Sequence, residues 1–273
     1  MKITRRKFIK SGVLIAAGLV AADAFWIEKF FIETKDFYIG PATKNTSNIK
    51  VVQLSDLHLR SVNLQLKRLA KKLNQLQPLL ILITGDAVDR AENLSLLDDF
   101  LKLIDNNIKK AAILGNWEHW GKVNLNELKK VYHQNNCTLL INETVQYTLP
   151  TKTISITGVD DFIGGNADIE AALKNYTTSD HHIILNHCPQ YSDHIATTIN
   201  KAMQVDFILS GHTHGGQFNF LGFIPFLPKG SGKYVKGWYN TEPRMYVSKG
   251  IGTSLLPARF GARAEIAIFN FMV

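Results

Sequence analysis

Residues 51–58 read Val-Val-Gln-Leu-Ser-Asp-Leu-His, an apolar run that stops at a carboxylate and an imidazole. The run lacks the polar alternation of a strand with one solvated face, so it predicts a strand buried on both sides. Four similar runs also end in polar residues. The five predicted strands are Val51–Leu54, Leu79–Ile83, Ala111–Leu114, Ile183–Leu185 and Phe207–Leu209. In an open α/β sheet the carboxyl ends of the strands form the ligand-binding edge, so the polar clusters are expected to meet there.

These clusters carry carboxylates, imidazoles and an amide, which together form a ligand set suited to Mn, Fe or Zn. They contain no cysteine, which argues against a thiolate zinc site. The candidate metal ligands are Asp56, His58, Asp86, Asn116, His187, His212 and His214. Seven donors are too many for one tetrahedral ion and suit two ions that share a bridging carboxylate. Such a pair, roughly 3.5–4 Å apart, activates a bridging water and holds both oxygens of an in-line phosphoryl displacement.

Each cluster taken alone has a simpler interpretation. An Asp-x-His triplet is a coincidence in most loops, and Gly85-Asp86-x-x-Asp89 suits an ordinary turn. A lone His187 behind a strand is more often a hydrogen-bonded histidine at the margin of a core. The run Gly211-His212-Thr213-His214-Gly215 is more specific, because its glycines leave the backbone room to bring both rings together. The occurrence of all the clusters in order, each at a strand end, favours a metal centre.

Five motifs follow one another along the chain: Asp56-x-His58, Gly85-Asp86-x-x-Asp89, Gly115-Asn116-x-Glu118, His187 and Gly211-His212-x-His214. Together they resemble the calcineurin-like metallophosphoesterase superfamily, over residues 49–273. The resemblance implies an α/β fold, a four-layer αββα sandwich of two mixed sheets flanked by helices. It also implies two metal sites, one held by Asp56, His58, Asp86 and His214 and the other by Asp86, Asn116, His187 and His212. Asp86 would bridge them.

One position departs from the pattern of that superfamily. Its usual Gly-Asn-His-Glu has Trp117 here in place of the histidine that contacts the phosphate or protonates the leaving group. A positioned general acid contributes roughly 10²–10⁴ to a rate. Three interpretations stay open: a weak enzyme, a leaving group that needs little protonation, or a displaced acid such as His119. Because every metal ligand is present, we predict an active metal-dependent phosphoric ester or diphosphate hydrolase rather than a catalytically weak or inactive scaffold.

The C-terminal part of the chain carries further motifs: Gly215-Gly216-Gln217, Lys233–Gly237, Tyr246–Gly252 and Ala264–Ile266. They resemble the exported or membrane-associated branch of bacterial phosphodiesterases of the YaeI and YkuE type. That branch is similar to enzymes that cleave the pyrophosphate of a UDP-linked diacylated glucosamine. The resemblance implies hydrolysis of a phosphodiester or pyrophosphate bond in a phosphorylated small molecule or lipid.

An apolar segment, residues 218–227, follows the last motif and suits neither a strand nor a helix, since Gly222 and Pro225 interrupt it. We expect it either to lie beside the metals, where its aromatic rings hold a lipid chain or enter a bilayer, or to fold back over the core. Trp238 and Tyr239 are expected to line the same wall. The candidate substrate-binding residues are Asn116, Gly215, Gly216, Phe218, Phe220 and Phe223.

Residues 1–24 have the layout of an export signal or an N-terminal anchor. A basic segment with paired Arg5 and Arg6 precedes the apolar residues 12–22 and resembles a twin-arginine signal, which implies the twin-arginine export machinery as a partner. Ala22-Asp23-Ala24 offers a small-x-small cleavage site. The alternative is an uncleaved anchor that extends through Phe25–Ile27. The protein is therefore expected either exported to the periplasm or cell envelope or anchored in the inner membrane.

Composition fits one enzyme domain, 49–273, after a linker or edge segment at 25–48. With 273 residues, 45% of them hydrophobic, the chain can bury a large core. Its formal net charge is +8, and residues 1–24 hold five of the 31 basic and one of the 23 acidic side chains, which leaves +4 for the remainder. This surplus suits an anionic substrate or a membrane surface and is too small to indicate a nucleic-acid partner. Cys137 and Cys188 are predicted to be buried free thiols rather than a disulfide.

Two apolar stripes with a spacing of three and four residues predict helices that cover the sheets. One comprises Leu66, Leu69, Leu73 and Leu76, and the other comprises Leu96, Leu97, Phe100 and Leu103. Further strands are predicted at Ile154–Val159, Met245–Val247 and Ile266–Phe269.

Overall fold

The computed structural model describes residues 4–28, 31–40, 48–148, 152–199, 203–254 and 256–272. Its strands are β1 Glu33–Ile39, β2 Asn48–Leu54, β3 Leu80–Thr84, β4 Lys109–Ile113, β5 Cys137–Leu139, β6 Glu143–Thr148, β7 Thr153–Gly158, β8 His181–Leu185, β9 Phe207–Ser210, β10 Gly237–Tyr239, β11 Met245–Val247 and β12 Glu265–Met272. Its α-helices are α1 Arg5–Ala22, α2 Leu64–Leu76, α3 Leu94–Leu101, α4 Asn116–Trp120, α5 Leu125–Gln134, α6 Ile169–Leu173 and α7 Ser192–Thr198.

The strands form two six-stranded mixed sheets. The first has the order β1-β12-β2-β3-β4-β5 and is parallel from β2 to β5. The second has the order β10-β11-β9-β8-β7-β6 and is parallel from β11 to β7. Parallel neighbours bring their carboxyl ends to one side, so the chain leaves β2, β3, β4, β8 and β9 at the same edge of the molecule. We call it the catalytic edge.

Three apolar layers hold the sandwich together. Leu73 and Phe100 belong to a cluster between the first sheet and α2, α3 and α5. Phe207 and Phe269 belong to a cluster between the two sheets, and their rings stack with centroids 4.9 Å apart. Ile195, in a third cluster, packs α7 onto the second sheet. The predicted four-layer αββα architecture is confirmed.

The predicted strands are all present, with small differences at their ends. Leu79 lies just before β3, where its backbone N–H donates to the Lys50 carbonyl. The last strand is longer than predicted, because it is central in its sheet and pairs along both sides. Both predicted helices are confirmed, although α3 ends at Leu101, before Leu103.

Part of the segment 25–48 forms the edge strand β1. This strand runs parallel to β12, with Glu33 opposite Glu265, and β12 runs antiparallel to β2, with Ala267 opposite Gln53. Because of these two directions, β1 begins at the catalytic edge and ends at the opposite edge. Residues 41–47 lie outside the described part of the chain.

The N-terminal helix continues beyond α1 through a π-helical turn, Asp23–Ile27. Residues Arg5–Ile27 make a helix of 23 residues that contains an 18-residue stretch of mean hydropathy 1.7, long and apolar enough to cross a membrane. A signal sequence would pass the same test. The end of this helix packs on the domain: the Arg259 N–H donates to the Ala24 carbonyl, and the Ala262 N–H donates to the Glu28 carboxylate.

Two side-chain expectations have clear outcomes. Cys137 and Cys188 are free and buried, as predicted, and the Cys188 thiol donates to Asp161. The expectation that Trp238 and Tyr239 line a wall with residues 218–227 is wrong. Strand β10 pairs with β11, which places Trp238 against the core between the sheets, while the Tyr239 hydroxyl accepts from the Val235 N–H.

Candidate metal centre

The catalytic edge brings two groups of possible metal ligands together. Asp56, His58 and His214 form the first, and Asp86, His187 and His212 form the second. Within each group, one ligand atom per residue lies within 4.8 Å of the others, and all six residues are buried. Asn116 joins the second group, since its Oδ1 lies 3.3 Å from His187 Nε2. All seven residues singled out in the sequence therefore meet at one place.

In the first group the two imidazoles face each other. Their Nε2 atoms are 3.1 Å apart, and Asp56 Oδ1 is 3.7 Å from His214 Nε2. In the second group, His187 Nε2 lies 3.3 Å from His212 Nδ1 and 3.2 Å from Asp86 Oδ2. Asp86 Oδ2 also lies 3.6 Å from His58 Nε2, so this one carboxylate stands between the two groups.

The backbone at this edge is strained. Asp56, His58, Asp86, His212 and His214 all have positive φ angles, between 42° and 73°. Non-glycine residues seldom adopt this region, and such strain is concentrated at functional sites. Sharp turns after β2, β3 and β9 direct these side chains back toward a common centre, which straight continuation of the strands would not do.

Hydrogen bonds on the side of each histidine ring that faces away from the centre determine which ring nitrogen is left to coordinate a metal. His187 Nδ1 lies 2.8 Å from the Thr84 carbonyl, and His212 Nε2 lies 2.8 Å from the Lys229 carbonyl. His58 Nδ1 contacts the Asp89 carboxylate. A ring that donates to such an acceptor turns the lone pair of its other nitrogen inward, as in metal-bound histidines. Two inward-facing sets of nitrogen and oxygen acceptors fit a pair of divalent cations.

Glu118 ties two of the turns together. Its carboxylate accepts four backbone N–H groups, from Gly115, Asp86, Ala87 and Val88, at 2.6–3.1 Å. Burial and the neighbouring Asp86 charge raise the pKa of Glu118 to about 7. The motif containing Glu118 was visible in the sequence, but this supporting role was not.

Arg259 is a functional neighbour that the sequence did not reveal. It is fully buried, donates to the carbonyls of Lys249 and Ala262, and lies 3.3 Å from His214 Nδ1. Burial lowers the pKa of its guanidinium to about 10, which leaves it charged at neutral pH. An arginine in a loop without periodicity offers no signal that it will reach a histidine 45 residues away.

Trp117 and His119 lie on the short helix α4. The Trp117 backbone N–H donates to Asp86 Oδ1, and its indole ring lies edge-on to His58, with centroids 6.2 Å apart. His119 Nε2 is 2.7 Å from Asp160 Oδ1. The hydrogen bond to Asp160 raises the pKa of His119. The indole is thus the aromatic neighbour of the metal ligands, and the imidazole, two residues further along the helix, is held by the Asp160 carboxylate.

The candidate substrate-binding residues other than Asn116 follow the metal ligand His214 along the chain. Gly215 and Gly216 are buried directly after His214, and a Cβ on Gly216 would lie 2.9 Å from Ile224. Phe220 packs against Phe260, whereas most of segment 218–227 is exposed. The alternative in which the segment folds back over the core is therefore wrong.

The family assignment comes from comparison with known proteins. Residues 49–216, more than half of the chain, match the family described as Calcineurin-like phosphoesterase. The chain belongs to this family. The calcineurin-like phosphoesterase described here is accordingly a metal-dependent phosphoester hydrolase, and its two ligand groups fit the dimetal site.

Several known proteins are similar to this phosphoesterase. It is 31% identical to the uncharacterized metallophosphoesterase YkuE of Bacillus subtilis, over 98% of each chain. It is 30% identical to the uncharacterized metallophosphoesterase YkoQ of the same organism, over 83% of each chain. The structure of Haemophilus influenzae NAD nucleotidase superposes with a TM-score of 0.48 at 16% identity, over 76% of this chain and 51% of that protein.

Proposed function

We propose that this protein hydrolyses a phosphodiester or pyrophosphate bond whose leaving group departs without a proton from the enzyme. Asp56, His58 and His214 would hold one divalent ion, and Asn116, His187 and His212 the other, with Asp86 shared. The donor set suits Mn, Fe or Zn. Two such ions, when bound, polarise a phosphoryl oxygen and lower the pKa of a coordinated water.

The observation that carries this proposal is the indole of Trp117 beside His58. In the family pattern this position is a histidine that contacts the phosphate or protonates the leaving group. An indole N–H is a hydrogen-bond donor only and does not release its proton at neutral pH. An alkoxide leaving group needs a proton, whereas an aryloxide or a nucleoside monophosphate has a conjugate acid of low pKa and does not. Trp117 therefore favours diesters and pyrophosphates with good leaving groups.

His119 is the second candidate for a proton donor. Its interaction with Asp160 raises its pKa, which favours the protonated ring at neutral pH. The same contact also draws the ring toward the loop at residues 160–166. We therefore favour a leaving group that needs no proton over protonation by His119. The variant His119→Ala tests the alternative.

The substrate is proposed to be lipid-linked or nucleotide-linked, such as a UDP-linked diacylated glucosamine. The exposed aromatic residues Phe220 and Phe223, a few positions beyond Gly215 and Gly216 along the chain, support an apolar group on the substrate. Residues 1–24 are proposed to direct the protein through the twin-arginine machinery to the cell envelope or to anchor it in the inner membrane, and residues 49–273 are proposed as the catalytic domain. The helix Arg5–Ile27 supports this placement.

Hydrolysis of bis-p-nitrophenyl phosphate by the purified protein, with and without added Mn²⁺, tests this function. We expect metal-dependent turnover of the aryl diester and much slower turnover of an alkyl phosphate monoester. Bound metal without turnover of either ester would instead support the scaffold that keeps the fold without catalysis. Equal turnover of both classes would contradict the leaving-group preference.

A further inference from the structure

The N-terminal helix, which is long enough to cross a membrane, meets the domain at the catalytic edge. Strand β1 begins there, with Glu33 bonded through its N–H to the Ala264 carbonyl. Just before it, the Ala24 carbonyl and the Glu28 carboxylate accept backbone N–H groups from Arg259 and Ala262. Ala24 is buried by these contacts, so the peptide bond at the small-x-small site belongs to a packed helical turn. This packing favours a retained anchor over a cleaved signal.

The same loop that receives the anchor also holds the exposed apolar segment. Phe260 donates its N–H to the Gln217 carbonyl and accepts from the Asn219 N–H, at 2.8 and 2.7 Å. The Gln217 side-chain amide donates to the Leu256 carbonyl. The end of the anchor, the loop 256–262 and the segment 218–227 are therefore joined in one continuous surface beside His214.

Large apolar side chains stand out from this surface. Trp26, Leu221, Phe226 and Leu256 are 65%, 107%, 70% and 58% exposed. We call these four residues the apolar rim. Exposed apolar side chains on adjoining segments mark an interaction site, and tryptophan at the end of a helix of membrane-spanning length is typical of the boundary between lipid and water.

Charges around the apolar rim are mainly basic. Lys229, Lys236 and Arg263 are exposed: Lys236 donates to the Gly261 carbonyl of the loop, Arg263 follows that loop, and Lys229 lies two residues beyond the segment 218–227. Three acidic residues lie in the same segments: Glu28 accepts from Ala262, Glu33 pairs with Lys35 and Lys249, and Asp23 is half-buried in the last turn of the helix. Basic residues beside an apolar surface add electrostatic attraction to anionic lipid headgroups.

We propose that the apolar rim is a membrane-docking surface, which inserts into the anionic bilayer that α1 spans and turns the catalytic edge toward the lipid headgroups. The bilayer is favoured over a protein partner because the surface is continuous with a helix of membrane-spanning length and is edged by positive charge. This inference goes beyond the proposed reaction, because it concerns how the domain is oriented and holds whichever phosphoester is cleaved.

Depth-dependent fluorescence quenching tests the orientation in the full-length protein. The chain carrying Phe226→Cys is labelled with bimane and reconstituted into vesicles of phosphatidylethanolamine and phosphatidylglycerol that contain acyl-brominated phosphatidylcholine. The native Cys137 and Cys188 are buried, so labelling is selective. The matched control is Tyr38→Cys, an equally exposed aromatic position at the far end of β1.

We expect the label at position 226 to be quenched severalfold more than the label at position 38. Equal quenching at both positions, or stronger quenching at position 38, would overturn the proposal. Leu256→Cys provides a second rim position if Phe226→Cys fails to fold. The readout does not involve turnover, so a protein that hydrolyses nothing would refute the proposed function and leave this measurement valid.

A charge reversal tests the electrostatic contribution to membrane docking. Lys236→Glu combined with Arg263→Glu is expected to reduce quenching at position 226 severalfold in vesicles with phosphatidylglycerol, and little in vesicles of phosphatidylcholine alone. Lys129→Glu combined with Lys130→Glu, on the exposed face of α5, is the matched control. Equal losses in the two variants would contradict a membrane contact at the apolar rim.

Discussion

At the scale of single residues, the metal centre depends most on Asp86. Its Oδ2 atom lies 3.2 Å from His187 and 3.6 Å from His58, so this carboxylate stands between side chains of both ligand groups. Its Oδ1 atom accepts the Trp117 N–H, which sets the orientation of the carboxylate. Two cations at short separation repel each other, and a shared negative charge offsets that repulsion.

Asp86→Asn is therefore expected to remove one of the two ions and nearly all turnover. An amide is neutral and leaves the repulsion between the ions unopposed, so the loss should exceed the roughly 10–100-fold that follows removal of an outer-shell partner. Metal content and hydrolysis of bis-p-nitrophenyl phosphate are measured together, with thermal unfolding as the check on folding. Asp99→Asn, at an exposed position on α3, is the control. Two bound ions with near-normal turnover would refute the assignment.

Trp117→His is expected to narrow the preference for good leaving groups. The added imidazole stands where it can supply a proton, and a general acid contributes roughly 10²–10⁴ to a rate that needs one. Turnover of an alkyl phosphate should therefore rise, while turnover of bis-p-nitrophenyl phosphate changes little. An unchanged ratio between the two substrates would contradict this account of Trp117.

His119→Ala separates this account from that of a displaced acid. If His119 were the acid, its removal would abolish turnover, and wild-type activity would fall as pH rises through the pKa of His119, which Asp160 raises. We expect neither effect, because a leaving group of low pKa needs no proton. Loss of activity in His119→Ala alone, together with that alkaline limb, would identify His119 as the acid.

At the scale of elements, the short helix α4 is attached to the turn after β3 mainly through the Glu118 side chain, in addition to the Trp117 N–H bond to Asp86. Glu118 accepts four N–H groups, three of them from the turn that carries Asp86. The two elements are adjacent because β3 and β4 are parallel neighbours. Glu118 thus positions Asn116 and Asp86 relative to each other without itself belonging to either ligand group.

Glu118→Gln is expected to destabilise the protein and weaken metal binding. The amide NH₂ faces backbone N–H groups and cannot accept hydrogen bonds from them. Each unsatisfied buried donor costs about 1–3 kcal/mol. Urea unfolding and Mn²⁺ titration measure the two effects, with the exposed Glu127→Gln as control. An unchanged free energy of unfolding together with an unchanged Mn²⁺ affinity would show that the four hydrogen bonds do not support the site.

The sequence predicted the central elements well and the edges less well, for physical reasons. Strands such as β3 are buried on both faces, so their residues are continuously apolar and easily recognised. Strand β1 reads Glu-Thr-Lys-Asp-Phe-Tyr-Ile and has one solvated edge, so it was indistinguishable from a linker. The metal ligands follow strand ends and were found, whereas Arg259 acts through contacts between distant loops, for which the sequence has no pattern. Trp238 was misplaced because the pairing of β10 with β11 is non-local.

At the scale of the whole molecule, the N-terminal helix packs against the domain that carries the metal centre. Residues Arg5–Ile27 make a continuous helix, and its last turn packs on the loop that contains Arg259, next to His214. Exposed basic residues, including Arg5 and Arg6, precede the apolar stretch. The helix that is long enough to cross a membrane therefore also packs on the domain beside the metal centre.

Arg5→Lys combined with Arg6→Lys is expected to leave folded protein in the cytoplasm, if a receptor reads the guanidinium pair. Lysine keeps the charge but not the planar fork of donors. Fractionation of cells expressing either form, with Lys7→Arg and Lys10→Arg as the charge-conserving control, gives the answer. Unchanged export would indicate a general secretory signal or a plain anchor.

Stepwise metal reconstitution tests the central claim most directly. Metal-free protein is titrated with Mn²⁺ while bound metal and hydrolysis of bis-p-nitrophenyl phosphate are followed together. The two ligand groups that meet at Asp86 predict two ions bound per chain, with turnover that appears only as the second ion binds. Full turnover with a single ion, or no turnover with both ions bound, would contradict a two-metal phosphoesterase.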